Sequence, residues 1–323
     1  MSMKRSLFVI VLGVLLASPV HAGALPGPVV DTQWLADHQG EVVVLSVMKG
    51  SKGFTSKPLY RTDKKSGKKR LVRIGGHLPG ARLLDYGKIR GKVKIAGRTV
   101  DKMAIPASLF EKVMQGAGIN QGDSIVLVSA GLGNGDITMA TRAYWQIKYF
   151  GHDEVAILDG GLAAWLTEGR PVESTPSTPA RGDWKATAER REMLATSEDV
   201  ARVVASGGAQ LMDNRPISLY LGIWRKSYVY DKGHIPGAKV FPNEILTTPR
   251  PARLLSADQY RTLLKEMGFD PEGEIITYCN SGHLASGGWF IVSEILGGKA
   301  RLYDGSMHQW TLEKRPVTAF RME

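Results

Sequence analysis

A stretch near the carboxyl end of the chain decides the fold class. It reads Ile275-Ile276-Thr277-Tyr278-Cys279-Asn280-Ser281-Gly282-His283. Its first four residues favour β-structure and carry apolar groups on both sides, which predicts a strand that is buried on both faces, as in a parallel sheet. A helical pattern from Leu284 to Leu296 begins after a short loop. The stretch therefore predicts a strand–loop–helix unit of an α/β fold, with a cysteine where the strand ends.

Cys279 is the only cysteine among 323 residues. This count excludes an intramolecular disulfide and a cysteine-based metal centre. Ligands of open parallel sheets bind beyond the carboxyl ends of the strands. The backbone N–H groups of such a loop, together with the dipole of the following helix, stabilise an anion such as a thiolate. We therefore predict that Cys279 is a nucleophile, and a buried, inert thiol is the alternative.

The strand–loop–helix unit occurs twice. Residues 105–129 align with residues 255–279 without a gap, at a constant offset of 150 positions. A second pair of matching segments is Gly76-His77-Leu78-Pro79-Gly80-Ala81 and Gly233-His234-Ile235-Pro236-Gly237-Ala238. We expect the two histidines of this pair to fix a turn by hydrogen bonding rather than to catalyse.

The duplication divides the chain into two domains. We place the N-terminal domain at residues 23–173 and the C-terminal domain at residues 196–323, joined by a linker at 174–195 whose first part is rich in Pro, Ser and Thr. In each copy, short buried strands alternate with helical patterns. This alternation predicts, for each domain, a mostly parallel sheet with helices on both faces.

The first 22 residues have the three parts of a secretory signal. Lys4 and Arg5 precede an apolar run over residues 7–17, and Val20-His21-Ala22 offers small residues for cleavage after Ala22. The apolar run is shorter than the roughly 20 residues that a membrane-spanning helix needs. We therefore expect a cleaved signal peptide and a periplasmic or secreted protein.

Several motifs together resemble the tandem-domain rhodanese family, which includes the thiosulfate and mercaptopyruvate sulfurtransferases. The motifs are Cys279-Asn280-Ser281-Gly282-His283-Leu284-Ala285, the two Gly-His-x-Pro-Gly-Ala segments, Asp213-Asn214-Arg215, and Tyr303-Asp304-Gly305 before Trp310. The resemblance covers residues 29–172 and 196–317. It implies a sulfurtransferase in which only the C-terminal domain is catalytic.

The resemblance further implies covalent sulfur transfer through a persulfide on Cys279. The persulfide-binding loop would consist of Asn280, Ser281, Gly282, His283 and Leu284. Arg215 would bind an anionic donor through its fixed fork of N–H groups, and His283 would add a titratable positive charge. Because the cysteine itself carries the sulfur, no metal and no organic cofactor is expected. The expected partners of this monomer are a small-molecule sulfur donor and a thiophilic acceptor such as cyanide or a thiol.

Alternatives stay open at this point. The loop matches the usual sequence of neither subfamily, so the donor is either thiosulfate, which we favour, or mercaptopyruvate. Arg215 could instead form a structural salt bridge with Asp213. A non-catalytic module that binds sulfur compounds or a protein partner is the rival function. A phosphatase is excluded, because Ala285 and Ser286 stand where an arginine would clamp the phosphoryl oxygens.

The N-terminal copy lacks the residues that chemistry needs. Ser129 stands at the position of Cys279, Ser46 at that of Asp213, and Met48 at that of Arg215. A serine nucleophile requires a base, and the pattern offers no clear one. We therefore expect a non-catalytic domain that contributes stability and a pocket wall.

Positive charge is concentrated in one segment of the N-terminal domain. The chain carries 42 Lys+Arg against 31 Asp+Glu, a net charge of +11, and residues 49–73 hold ten of these basic residues with one acid. We interpret residues 49–73 as an extended, solvated insertion that can meet an anionic surface or an acidic protein. Aromatic stacking residues are sparse in it, so no nucleic-acid partner is expected.

Overall fold

The structure is a computed structural model that describes residues 25–67 and 69–320. The predicted signal peptide at 1–22 lies outside the described residues. The two predicted domains each contain a five-stranded parallel sheet flanked by helices. The predicted α/β fold class is therefore confirmed.

The N-terminal domain contains the first nine strands in chain order. They are β1 (Val29–Val30), β2 (Val43–Met48), β3 (Leu59–Thr62), β4 (Lys69–Arg73), β5 (Arg82–Asp85), β6 (Arg90–Ile95), β7 (Arg98–Ala104), β8 (Ile125–Val128) and β9 (Val155–Leu158). Its helices are α1 (Thr32–His38), α2 (Lys52–Thr55), α3 (Ala107–Gly116), α4 (Asn134–Tyr149) and α5 (Gly161–Thr167). The parallel sheet has the order β1-β9-β8-β2-β5, while β3–β4 and β6–β7 form two separate antiparallel hairpins.

The C-terminal domain repeats the parallel sheet. Its strands are β10 (Leu194–Ala195), β11 (Gln210–Asp213), β12 (Lys239–Val240), β13 (Ile275–Tyr278) and β14 (Ala300–Tyr303). Its helices are α6 (Ser197–Ser206), α7 (Ile217–Tyr220), α8 (Ala257–Glu266), α9 (Ala285–Phe290) and α10 (Ser306–Leu312), with 3₁₀ turns at Arg191–Met193 and Asn243–Ile245. A π-helical segment, Ile291–Ile295, extends α9. The order β10-β14-β13-β11-β12 matches that of the N-terminal sheet strand for strand.

Local sequence signals located several elements to the residue. The predicted strands at 125–128, 155–158 and 275–278 have the same bounds in the structure. Helix α8 begins after a capping box in which Ser256 and Gln259 exchange hydrogen bonds. The predicted turn role of the two matching histidines is also confirmed, since His77 pairs with the backbone oxygens of Leu78 and Thr175, and His234 with that of Tyr220.

The segment at 174–195 is not a free linker. Trp184 is fully buried and packs edge-on against Phe110 of α3, and its backbone carbonyl accepts a hydrogen bond from Gln115. Leu194–Ala195 already pairs with β14 in the second sheet. The second sheet therefore begins two residues before the predicted boundary at 196, because composition cannot show where a polar segment finds a surface to pack on.

The basic segment at 49–73 was expected to be one extended loop, and this expectation was wrong. It contains the short helix α2 and the hairpin β3–β4. Phe54 of α2 is buried and stacks on His77, with 3.7 Å between the ring centroids. The hairpin itself is exposed along β3. One apolar anchor thus orders the base of a segment whose outer part is solvated.

The two domains pack through α4 and α9. The Thr141 and Ser286 hydroxyls form a hydrogen bond of 2.8 Å across this interface. A Cβ atom added to Gly287 of α9 would lie 2.8 Å from Thr138 Cγ2 of α4, so Thr138 would have to move to accommodate it. None of the helices in the described part of the chain combines the length and hydropathy needed to cross a bilayer.

Candidate active site

The cysteine lies where the sequence predicts it, at the carboxyl end of β13. Cys279 is 1% exposed, and its Sγ accepts the backbone N–H of Ser281 at 3.5 Å. The loop then turns through Gly282, which has φ +68°, and enters α9. A Cβ on Gly282 would lie 2.2 Å from the Asp304 carboxylate, so only glycine allows this turn. One backbone N–H of this loop thus points at the sulfur atom.

A serine on the next strand's turn braces the cysteine loop. Ser306, at the start of α10, accepts the N–H groups of Cys279 and Gly282 on its Oγ, at 3.0 and 3.1 Å, and donates to the Tyr303 carbonyl. Two buried backbone donors therefore depend on one hydroxyl. Ser306 adopts φ +51°, a left-handed conformation that L-residues rarely take. No pattern in the sequence pointed to this residue.

The N-terminal domain reaches the cysteine loop through Arg142 of α4. Its Nη1 binds the Asp304 carboxylate at 2.6 Å and the Gly282 carbonyl at 3.2 Å, and both side chains are buried. Although burial opposes the charge, the Asp304 carboxylate holds the pKa of Arg142 above its usual value. The only sequence signal for Arg142 is a single arginine in the middle of a largely apolar helix.

A second arginine of the N-terminal domain holds the neighbouring carbonyl. Arg90 of β6 donates through Nη2 to the backbone oxygen and the Oγ of Ser281, and through Nη1 to the Tyr86 hydroxyl at 3.1 Å. Burial raises the pKa of Tyr86 to about 12, so this phenol stays neutral. Two arginines thus bind successive carbonyls of the cysteine loop. Because C=O and N–H point in opposite directions in a trans peptide, this fixes the direction of the following N–H groups.

The segment after α7 covers the other side of the loop. The Lys102 ammonium of β7 lies 3.5 Å from the ring centroid of Tyr228, a close cation–π contact. Burial raises the pKa of Tyr228, and its hydrogen bond to Ser281 opposes this shift. Tyr228 also lies close enough to Cys279 to interact with it electrostatically. The site is therefore enclosed by residues of both domains.

The prediction that His283 adds a titratable positive charge was wrong. Burial, reinforced by the positive charges of Arg90, Lys49 and Arg142, lowers the pKa of His283 to about 3. Its Nε2 pairs with Thr138 Oγ1 at 3.1 Å. His283 is consequently neutral throughout the physiological range, and the fixed positive charges near the loop come from arginine and lysine.

The prediction that Arg215 binds substrate directly is not supported by its contacts. Arg215 is 1% exposed, and its Nε and Nη2 donate to the Asp213 carboxylate, with Nη2 also donating to the Gly233 carbonyl at 2.7 Å. Burial opposes its charge, but Asp213 holds the pKa of Arg215 above its usual value. Arg215 interacts electrostatically with Cys279. It therefore acts on the site as a fixed charge in a structural salt bridge.

An open cleft of about 450 Å³ borders the cysteine loop at His283. Its other walls come from the carboxyl ends of β2 and β8 and from the start of α4, and they include Met48, Lys49, Asp136 and Met139. The N-terminal domain thus supplies the predicted pocket wall. It also supplies the two arginines that hold the loop, which the sequence analysis did not anticipate.

Comparison with known proteins identifies the family. A sequence profile described as "Rhodanese-like domain" matches residues 196–313. The thiosulfate sulfurtransferase of Cricetulus griseus is 31% identical over 247 residues, covering 75% of this chain and 80% of that protein. The chain belongs to the rhodanese family. Another rhodanese relative, the sulfur carrier protein TtuD of Thermus thermophilus, is 30% identical over 246 residues, covering 73% of this chain and 82% of the relative.

Solved structures agree with the tandem rhodanese fold. SseA from Escherichia coli, described as a 3-mercaptopyruvate sulfotransferase, aligns with a TM-score of 0.68 at 24% identity over 87% of this chain and 98% of its own. The Tum1 protein of Saccharomyces cerevisiae aligns with a TM-score of 0.73 at 18% identity over 92% of this chain and 99% of its own. As the names of these relatives indicate, this rhodanese is a sulfurtransferase that acts on small sulfur compounds.

Proposed function

We propose that this rhodanese takes a sulfane sulfur atom from thiosulfate, holds it as a persulfide on Cys279, and passes it to a thiophilic acceptor such as cyanide or a thiol. One observation carries the proposal. The sole cysteine ends a central parallel strand, and its Sγ accepts the backbone N–H of Ser281 from the loop that follows. Backbone N–H groups in this arrangement stabilise an anionic sulfur without a metal.

The reaction takes two displacements. The Cys279 thiolate attacks the outer sulfur of thiosulfate, the S–S bond of the donor breaks, and sulfite leaves with the bonding pair. The acceptor then attacks the outer sulfur of the persulfide, and the electron pair of the S–S bond returns to Cys279 as thiolate. Arg90 and Arg142 orient the loop through both steps, because they hold the Ser281 and Gly282 carbonyls.

Intact-mass spectrometry tests the mechanism. After incubation with thiosulfate, the wild-type protein should gain the mass of one sulfur atom, and cyanide should remove it with release of thiocyanate. Cys279→Ser should abolish both the adduct and the turnover. Unchanged turnover in that variant would refute the mechanism. Sulfur that loads but passes to no acceptor would support the rival binding module instead.

Fixed charge around the loop favours thiosulfate as the donor. Thiosulfate carries two negative charges and mercaptopyruvate one carboxylate. Arg90 and Lys49 place positive charge beside the cysteine loop, in addition to the ion pairs Arg142–Asp304 and Arg215–Asp213. Steady-state measurements with both donors in parallel should give the higher kcat/KM with thiosulfate. A preference of about tenfold or more for mercaptopyruvate, or about 1.4 kcal/mol, would overturn the donor assignment and leave the Cys279 mechanism intact.

We also propose that residues 1–22 direct export, which would place the enzyme in the periplasm or outside the cell. The support is the order of a basic start, an apolar run and small residues before Gly23. Expression of the full chain in a Gram-negative host, followed by amino-terminal sequencing of the osmotic-shock fraction, should yield a protein that begins at Gly23. An uncleaved chain that stays in the cytosol would contradict export.

A further inference from the structure

Two segments, one from each domain, meet over the cysteine loop and form a surface beside it. We call this surface the rim, and it consists of the hairpin β6–β7 (residues 90–104) and residues 223–232. The hairpin reaches the loop through Arg90 and Ser281, and Lys102 joins it to the second segment at Tyr228. The rim therefore borders the cysteine loop at Ser281.

The rim is strongly basic. It contains eight basic and two acidic residues, a net charge of +6. The basic residues are Arg90, Lys92, Lys94, Arg98, Lys102, Arg225, Lys226 and Lys232. Lys102 interacts electrostatically with both Arg90 and Lys226, so the two segments form one field of positive charge. Such a field attracts an acidic partner and raises its rate of association.

The rim also exposes large apolar side chains. Ile223, Trp224 and Tyr230 are 49%, 42% and 53% exposed. Trp224 is held in place, because its Nε1 donates to Ser218 Oγ at 3.0 Å and the Lys226 ammonium lies 4.9 Å from its ring. Exposed aromatic residues beside basic ones are typical of protein-binding surfaces, where aromatic and arginine side chains contribute most of the binding energy. A small anion gains nothing from an exposed isoleucine and tryptophan.

Burial of the cysteine restricts how an acceptor reaches it. With Cys279 1% exposed, a thiol at the centre of a flat protein surface cannot approach its sulfur. A thiol on a projecting segment can, provided that the rest of the segment rests on the surface around the entrance. The rim borders the cysteine loop at Ser281 and offers a surface of this kind, and its positive charge is complementary to an acidic segment.

We propose that the rim docks an acidic protein segment that bears a cysteine, and that this thiol is a sulfur acceptor of the enzyme. The inference rests on the proposed persulfide mechanism and names the acceptor class. In the transfer step the acceptor thiolate attacks the outer sulfur of the Cys279 persulfide. The S–S bond to Cys279 breaks, its electron pair returns to Cys279, and the acceptor leaves as a persulfide.

Two synthetic peptides of equal length supply the probe. Each has one cysteine, flanked by Asp, Glu and Leu in the first peptide and by Ser, Gln and Leu in the second. The wild-type persulfide, preloaded with thiosulfate, should transfer sulfur to the acidic peptide with a kcat/KM about tenfold higher than to the neutral one, and added salt should reduce the difference. Equal rates for the two peptides would overturn the proposal.

Matched variants locate the effect. Lys226→Glu and Trp224→Ala should each reduce transfer to the acidic peptide by about five- to tenfold, and cyanide-dependent turnover should stay within about twofold of wild type. The controls change a lysine and an exposed aromatic residue of the hairpin β3–β4, as Lys64→Glu and Tyr60→Ala, where Tyr60 is 40% exposed. The controls should leave both reactions unchanged.

Other outcomes separate this proposal from its alternatives. An equal effect of Lys64→Glu would assign the partner to the basic segment 49–73 and overturn the rim. The docking proposal is also overturned if Lys226→Glu reduces binding to vesicles of phosphatidylglycerol but leaves peptide transfer unchanged. That result would indicate that the rim binds a membrane surface. If cyanide turnover is absent in the wild type, the proposed function itself fails. Normal cyanide turnover without a peptide preference refutes only the docking proposal.

Discussion

The loops that follow β8 and β13 share a backbone frame and differ in what occupies it. The carbonyl of Ser129 accepts the N–H of Leu162 at 2.8 Å, and the carbonyl of Cys279 accepts the N–H of Met307 at 3.0 Å. The difference lies at the next turn, where Gly161 corresponds to Ser306. Both have left-handed backbones, at φ +55° and φ +51°. The same backbone conformation thus places a glycine beside the loop in one domain and a serine hydroxyl in the other.

This difference changes how each turn contacts the loop beside it. A Cβ on Gly161 would lie 2.4 Å from the carbonyl oxygen of Ser129, so the turn packs directly against the serine loop. In the C-terminal domain, the hydroxyl of Ser306 accepts two N–H groups of the cysteine loop. The turn after β14 thus holds the backbone of the cysteine loop through a side chain that the corresponding N-terminal turn, with Gly161, does not have.

A corresponding aspartate in each domain gives the largest expected contrast. Asp304 binds the buried Arg142, whereas Asp159 binds Arg253, which is 38% exposed. Arg142→Met leaves a buried carboxylate unpaired and should lower the free energy of unfolding by about 3–5 kcal/mol. Arg253→Met should cost less than about 1 kcal/mol, because solvent screens the exposed pair. Urea unfolding of both variants measures the difference.

A similar decrease in the free energy of unfolding in Arg142→Met and Arg253→Met would contradict this prediction. Arg142→Lys provides a control that keeps the positive charge while removing the planar fork. It should retain part of the stability, and sulfur loading on Cys279 should still fall, since a lysine cannot bind Asp304 and the Gly282 carbonyl in the same geometry.

Removal of the Ser306 hydroxyl should have the next largest effect. Ser306→Ala keeps the backbone conformation accessible but leaves the buried N–H groups of Cys279 and Gly282 without their acceptor. We expect a loss of about 1–3 kcal/mol in stability and, in single-turnover experiments, slower sulfur loading from thiosulfate. Loading at the wild-type rate in Ser306→Ala would show that the brace is dispensable.

The histidine of the cysteine loop makes stability depend on pH. Burial and neighbouring arginine and lysine charges lower the pKa of His283 from 6.5 to about 3 in the folded protein. Between these values the unfolded chain binds a proton that the folded chain does not, so stability falls as pH decreases below 6.5. The contribution reaches about 2 kcal/mol at pH 5 and is absent above pH 7.

His283→Gln should therefore flatten the fall in the urea midpoint between pH 7.5 and pH 5, with His38→Gln as the control for losing an imidazole. In wild type, kcat/KM for thiosulfate should show no His283-dependent inflection between pH 6 and pH 8. A fall in kcat/KM through that range that disappears in His283→Gln would restore a charged role for this histidine.

The serine loop should give the smallest effect. Ser129 is fully buried and its hydroxyl has no hydrogen-bond partner among the described residues. Ser129→Ala should leave turnover within about threefold of wild type, a change below 0.7 kcal/mol. A hundredfold loss in steady-state assays would mean that the N-terminal loop takes part in the chemistry.

Local signals explain which parts of the site could be predicted. The strand before Cys279 and the cap of α8 depend on neighbouring residues, so their patterns are readable in one sequence. Contacts between residues that are far apart in the sequence cannot be read from it in this way. Arg90 binds Ser281 from 191 residues away, and Arg142 binds Asp304 from 162 residues away. Neither arginine lies in a recognisable motif. Each belongs to the site only because the N-terminal domain places its guanidinium against the C-terminal domain.

The sequence by itself determined the duplication, the parallel α/β architecture and the position of Cys279 at a strand end. These follow from repeated motifs and from the period of apolar residues, which burial imposes directly on the chain. Only the tertiary structure decided which site residues are ionised and which groups they pair with. Arg215 pairs with Asp213 instead of facing the pocket, and His283 is neutral because it is buried among cations. Ionisation and hydrogen bonding depend on the local dielectric and on partners brought in by folding, and neither is written in the order of residues.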